Sequence, residues 1–252
     1  MIVDVLILAG ARNKDSLKEF ALTEHEALIE IADIPMVEYV IKAAKKSKKT
    51  GKVVVVGPYK ELKDSLKEEV DLIIDSVDSM KENISRGINS LKGNKYILML
   101  TCDIPLITPE IIDDFIETCL NDYEADIYYP IIPKEKNLAK FPKVKRTYFH
   151  LTEGVFTGGN MVIINPDVIS GAFELLGKVI AWRKKPWKLS KLLGMKFIFK
   201  FVIGHLSIDE IEDAVSDIIG FKGQFMVSEY PEIGFDVDKP SDLQLMRDKY
   251  IL

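Results

Sequence analysis

The chain has few of the residues that enzymes use for covalent or metal-thiolate chemistry. Two cysteines, Cys102 and Cys119, are all that 252 residues contain. Their spacing fits neither a zinc site nor a disulfide framework, so both read as reduced thiols of a cytoplasmic protein. Three histidines, His25, His150 and His205, are scattered and read as surface or packing residues rather than catalysts. Positive charge is also short. The formal net charge of −5 argues against nucleic acid as a partner. Long apolar runs are missing too. The stretch around Phe197–Leu206 is interrupted by Lys200 and is too short to span a bilayer. At the N-terminus no basic region precedes the apolar run, and Asp4 breaks it. That segment reads as a strand rather than a signal peptide.

What is present is a regular alternation. Val3–Leu8 is a continuous apolar run, as in a strand buried on both faces. Pro35 suits the first turn of a helix whose stripe is Met36, Val37, Tyr39, Val40, Ile41 and Ala44. Strands are expected at Lys52–Val56, Leu72–Ile74, Tyr96–Leu100 and Ala125–Tyr129. Helices are expected around Leu62–Leu66, over Met80–Leu91 and from Thr108-Pro109 onward. Strands and helices in turn give an α/β fold with a mostly parallel sheet covered by helices on both faces. Ligands of such sheets sit at the carboxyl ends of the strands. The Ala9-Gly10 turn and Asp103 both fall just past a strand's carboxyl end. Beyond residue 130 the pattern loosens. Ile131–His150 is basic, with prolines at 130, 133 and 142, and reads as an irregular excursion. "GVFTGGNMVIINP" reads as loop then strand, and Ser207–Glu210 has capping-box spacing before a helix stopped by Gly220. No repeat or linker divides the chain, which reads as a single domain over 1–252 with a basic, Trp-containing helical insert at about 171–222.

Four short stretches carry chemistry. In "LAGA", Gly10 permits close backbone approach, either to a phosphate or to a packed neighbour. In "TCDIPL", Asp103 lies beyond a buried strand, where it either holds Mg²⁺ or caps the turn. In "GFDVDKPSDL", Asp236 and Asp238 alternate, so on a strand both face one side and can complete a divalent site with Asp103. Alternatively, Asp238 initiates the final helix. In "FTGGNMVIIN", Gly158, Gly159 and Asn160 suit a polyhydroxyl or phosphorylated acceptor, or form a simple glycine turn.

Taken in order, "LAG", "IPMVEYVIKA", "CDIPLITPEII", "GGNMVIINP" and "DVDKPSDL" resemble the MobA-like nucleotidyltransferases, relatives of the molybdenum-cofactor guanylyl- and cytidylyltransferases. The resemblance covers most of residues 1–170 and returns at 234–250. It implies a three-layer, Rossmann-like fold of the nucleotide-diphospho-sugar transferase (GT-A-like) type. It also implies a Mg²⁺-dependent reaction that joins an NTP to a small phosphorylated acceptor and releases pyrophosphate. By the same resemblance Ala9, Gly10, Ala11, Arg12 and Asn83 would bind the nucleotide, Gly158, Gly159 and Asn160 the acceptor, and Asp103, Asp236 and Asp238 the metal. Catalysis is assigned to Asp103, Arg12 and Lys18. The family's second loop glycine is Ala11 here, and Glu26 stands where its phosphate lysine is expected, so Arg12, Lys14 and Lys18 are the cations left for a triphosphate.

Lys178–Lys200 carries eight basic residues, no acid and the interleaved Trp182 and Trp187. It suits an anionic membrane surface, an anionic ligand or a solvated helix face. Two other functions fit the same motifs: a binding module without turnover, and a glycosyltransferase using Asp236-Val237-Asp238 as its metal motif on a nucleotide-sugar.

Overall fold

The run Val3–Leu8 forms strand β1, buried along its length. The computed structural model describes residues 1–13, 15–66, 70–91, 93–122, 124–169 and 194–250. Lys14, and the expected basic insert as far as residue 193, lie outside them. The first elements after β1 are the short helix α1 (Asp15–Lys18) and the two-stranded hairpin β2 (Glu30–Ile31) and β3 (Ile34–Pro35). Then come α2 (Met36–Lys46), β4 (Thr50–Gly57), α3 (Tyr59–Ser65), β5 (Leu72–Asp75), α4 (Met80–Ser90), β6 (Ile97–Thr101) and α5 (Pro109–Asp122). The second half holds β7 (Ile127–Pro133), α6 (Lys134–Lys140), β8 (Phe149–Leu151), β9 (Gly154–Gly158), β10 (Met161–Ile164), α7 (Met195–Val202), α8 (Ile208–Ile219), β11 (Gly223–Val227) and α9 (Pro240–Tyr250).

Among the described residues nine strands make one sheet in the order β5-β4-β1-β6-β10-β7-β9-β8, with β11 joined to β7. β5, β4, β1 and β6 run parallel, β10 is antiparallel to β6 and β7, and β11 is parallel to β7. This is the α/β, Rossmann-like architecture expected from the sequence. Alternate residues of β1 serve opposite faces, because successive side chains of a strand point to opposite sides. Val3, Val5 and Ile7 join the core under α2 and α5, while Leu6 joins the one under α4. Helix α2 buries Met36, Val37, Val40, Ile41 and Ala44, the larger of which are each worth about 1.5–3 kcal/mol of transfer from water.

Where the sequence reading departs from the fold, the causes are local. Pro35 stands at the N-cap of α2, one residue earlier than expected, because it also pairs with Glu30 across the hairpin. Ile131–His150 is more regular than expected. It contains the end of β7, all of α6 and the start of β8. Pro130 is tolerated because it sits where β7 passes from pairing with β10 to pairing with β9, and Pro133 ends the strand and caps α6. Gly154–Ile164 is two strands rather than one. The capping box of α8 is as expected. Ser207 Oγ accepts from the Glu210 N–H at 3.1 Å, and Glu210 accepts from the Ser207 N–H at 3.2 Å. The helix ends at Gly220, whose φ of 74° is left-handed.

β1 positions the site. Its two neighbours, β4 and β6, are reached by crossovers in opposite directions, so the strand order reverses at β1 and a crevice opens at its carboxyl end.

Candidate active site

The ladder bonds at that edge send two loops out side by side. The Ala9 N–H donates to the Val56 carbonyl at 2.7 Å, and the Cys102 N–H to the Leu8 carbonyl at 3.2 Å. Gly10 and Asp103 therefore leave adjacent strands at the same rim. Gly10 cannot carry a side chain there, because a Cβ would lie 2.7 Å from Cβ of Ser76. Gly10 and Arg12 line a polar cavity of about 480 Å³ with His25, Tyr59, Ser76 and Asp78. Arg12 reaches Asp78 at 3.6 Å, with both side chains largely in water, so the pair is weak and the guanidinium can exchange partners.

The other expected nucleotide residues are placed differently. Ala9 is fully buried and its N–H is spent on Val56. The Ala11 carbonyl accepts from the Glu26 N–H at 3.1 Å. Asn83 is buried and bonds both ways with Val77: its Oδ1 accepts from the Val77 N–H, and its Nδ2 donates to the Val77 carbonyl, each at 2.8 Å. It thus fastens the wall of the cavity. Lys18 is exposed at the end of α1. Glu26 is buried beneath the loop, 3% exposed, in a single 3₁₀ turn.

The acids converge. Asp103, Asp236 and Asp238 each bring a carboxylate oxygen to within 4.8 Å of the others. Of the strand or turn that the sequence allows over residues 235–238, no strand forms, but the alternation survives. Phe235 and Val237 are buried below, so Asp236 and Asp238 share the other side. The Val237 N–H donates to the Asp103 carbonyl at 3.0 Å and docks this segment on the rim. Asp242 receives the Lys239 N–H at 3.1 Å, and burial pushes its carboxyl above the ordinary aspartate range.

Arg146, which the sequence reading does not single out, pairs with Asp236. Burial lowers its pKa below the ordinary arginine range, and the charges of Asp238, Asp242 and Asp103 around it oppose that effect. One arginine in a basic stretch, "KVKRTYF", carries no spacing signal that would mark it. The sequence places the site's cation among Arg12, Lys14 and Lys18 instead.

Gly158, Gly159 and Asn160 turn beside this centre, but their backbone is already engaged. Gly159 donates to Pro130 at 3.0 Å, Asn160 donates to Ile233 at 2.9 Å, and the Tyr129 hydroxyl donates to the Gly159 carbonyl at 3.0 Å. A Cβ at Gly158 would overlap Tyr129, and one at Gly159 would lie 2.6 Å from Ile233. The glycines are therefore required by packing within the protein. Asn160 lines a second, apolar cavity of about 480 Å³. Its buried Nδ2 lacks a hydrogen-bond partner among the described residues.

Cys102 and Cys119 are buried and neither is in a disulfide, and burial raises the Cys119 thiol far above its ordinary range. This suits inert packing groups rather than nucleophiles. Among the described residues no helix is long and apolar enough to cross a membrane.

Comparison with known proteins agrees with this geometry. The model of the MobA-like NTP transferase domain matches residues 5–184. A hypothetical transferase from Thermus thermophilus is 32% identical with a TM-score of 0.84, over 96% of this chain and 100% of that one. A nucleotidyl transferase from Methanothermobacter is 14% identical with a TM-score of 0.58, over 99% of this chain and 98% of that one. A 2-C-methyl-D-erythritol 4-phosphate cytidylyltransferase, also from Thermus thermophilus, is 12% identical with a TM-score of 0.57, over the whole of both chains. The last two share the fold. Among curated proteins there is no match. With an NTP-transferase model over most of its length and the acids gathered at the rim of such a sheet, the chain belongs to the MobA-like NTP transferase family and is a nucleotidyltransferase.

Proposed function

We propose that this protein transfers a nucleotidyl group from an NTP to a small phosphorylated acceptor, with Mg²⁺ and with release of pyrophosphate. An oxygen of the acceptor phosphate forms the new bond to the α-phosphorus. The bond from that phosphorus to the bridging oxygen breaks in line, and pyrophosphate leaves with the electron pair. Such transfers need positioning and charge neutralisation rather than a protein nucleophile. The absence of a suited histidine or thiol is therefore no obstacle.

One observation carries this reading: Asp103, Asp236 and Asp238 converge at the switch point beside the Gly10 loop. Three carboxylates are the hard oxygen donors that Mg²⁺ takes. When bound, Mg²⁺ would supply charge neutralisation to the phosphates. The polar cavity at Gly10, Arg12 and Ser76 is the proposed nucleotide pocket, shaped by Asn83 and Val77. Ala9 and Ala11 set the loop's path, and Lys18, exposed at the end of α1, is the proposed further cation. The turn Gly158–Asn160 is the proposed acceptor side, with Asn160 offering the amide. We read residues 1–252 as one catalytic domain. The NTP substrate and reduced thiols suit the cytoplasm, and the basic segment Lys178–Lys200 is a candidate contact for an anionic ligand or membrane surface.

The test is pyrophosphate release from each of the four NTPs with a panel of sugar phosphates and other phosphorylated acceptors, with Mg²⁺ or with EDTA. Turnover with one pairing, dependent on the metal, is expected. No release with any pairing, together with no thermal stabilisation by any NTP and Mg²⁺, would overturn the proposal, since a ligand of the folded state must raise its stability.

A further inference from the structure

Arg146 reaches the acids from a segment that is itself fastened over the loop that carries them. Lys140 pairs with the buried Glu232. The rings of Phe141 and Phe235 stack with centroids 4.8 Å apart. Val144 packs in the same apolar cluster as Phe235 and Val237. Lys239 Nζ donates to the Lys145 carbonyl at 3.5 Å. The guanidinium is thus brought to Asp236 by contacts on either side of it, and the pair is largely removed from water: the side chains are 14% and 16% exposed. Salt screens such a pair poorly. Burial raises the Tyr129 hydroxyl, which holds the Gly159 carbonyl, and the nearby charge of Arg146 opposes that rise.

We propose that Arg146 is the resident counter-ion of the Asp103–Asp236–Asp238 centre and holds its affinity for a divalent cation low while no nucleotide is bound. The inference rests on the reading of these acids as metal ligands. Three carboxylates this close repel one another and are costly to bury without a cation. Arg146 supplies that cation permanently, and arginine remains charged in any such setting. Any divalent ion entering the centre must then displace the guanidinium from Asp236 or sit beside it. Both weaken metal binding. Mg²⁺ completes its shell with phosphate oxygens rather than with protein ligands alone. A centre that holds the ion poorly when empty therefore holds it well once a polyphosphate is present. Arg146 is on this account a positioning residue, acting through Asp236.

A purely structural ion pair makes the opposite prediction. Removing Arg146 would then loosen the loop and weaken metal binding. The two are separated by titrating Mn²⁺ into the full-length protein without nucleotide and following free Mn²⁺ by electron paramagnetic resonance. The wild type, Arg146→Gln and Arg146→Lys are compared, with near-UV circular dichroism to confirm folding. The Gln variant is expected to bind Mn²⁺ about tenfold more tightly, the size of effect that one nearby charge produces in a partly buried site. The Lys variant, a point charge that cannot fork onto Asp236, should fall between it and the wild type. If the Gln variant loses its native spectrum, the Lys variant decides alone. Affinity in the variants equal to or weaker than wild type overturns this inference and leaves the metal reading intact. No Mn²⁺ bound by wild type or variants overturns the metal reading, and this inference with it.

Discussion

The N–H of Val237 donates to the carbonyl oxygen of Asp103 at 3.0 Å. This main-chain bond joins the loop after β6 to the loop before α9. It places Asp236 and Asp238, on either side of Val237, next to the Asp103 side chain. The distance between the acids is thereby set by backbone geometry and not by the acids themselves, which would repel one another.

Replacing one acid should therefore cost activity and not stability. Asp103→Asn is expected to lower pyrophosphate release at least about 100-fold, as loss of a group that stabilises phosphate charge commonly does. The melting temperature should stay the same or rise, because one of three crowded negative charges is gone. A melting temperature that falls by several degrees would show that Asp103 serves the fold instead.

Asn83 is expected to act on the nucleotide through Val77. Its side chain makes two bonds of 2.8 Å to the Val77 backbone. Asn83→Ala leaves that N–H and carbonyl without their partner, at a cost of about 1–3 kcal/mol. Because Ser76, Val77 and Asp78 wall the polar cavity, the KM for the NTP should rise while kcat changes little. Thermal melts and steady-state kinetics check the two parts separately.

The Gly158–Tyr129 contact predicts a rescue. A methyl at Gly158 overlaps Tyr129, so Gly158→Ala should destabilise by about 1–3 kcal/mol, as overpacking does. Tyr129→Phe loses one hydrogen bond to Gly159, worth about 1 kcal/mol. Combined, they should cost less than the sum of the two, because the phenylalanine makes room for the new methyl. Strict additivity in denaturant unfolding would refute the clash.

The start of α8 predicts a pH dependence. Lys200 and the Ser207 N–H hold the Glu210 carboxyl below its ordinary range. A carboxylate favoured by the fold contributes stability at pH values above about 4.3. That contribution is lost as pH falls through the lowered, folded-state value. Between about pH 6 and about pH 3 the wild type should lose more melting temperature than Glu210→Gln. Equal losses would show that the capping box is insensitive to this charge.

Much of this arrangement is legible in the sequence where one local cause decides the outcome. The apolar run Val3–Leu8 has to be a buried strand, and Ser207 followed by Glu210 has to cap a helix. The rim position of Asp103 follows from the strand before it. Asp236 and Asp238 are legible as a pair because Phe235 and Val237 alternate with them, even though no strand forms there. The glycines at 158 and 159 mislead. A glycine required by Tyr129 and Ile233 looks the same in sequence as one required by a ligand. Arg146 is not legible at all. It belongs to a coil with no periodicity, and its role arises from Phe141 and Val144 docking on a distant loop that carries Phe235 and Val237. Contacts of that range leave no local pattern.

The acid centre draws Asp103 from the first half of the chain and Asp236 and Asp238 from near its end. A ribosome makes the residues of the polar cavity first, since Gly10, Tyr59 and Ser76, with Asn83 behind them, all precede Asp103, and makes the remaining acids last. A growing chain therefore holds the cavity's residues long before it holds all three acids. The three acids come together only when the segment ending in α9 folds back onto the rim, so on the proposed reading the last-made part of the chain completes the site.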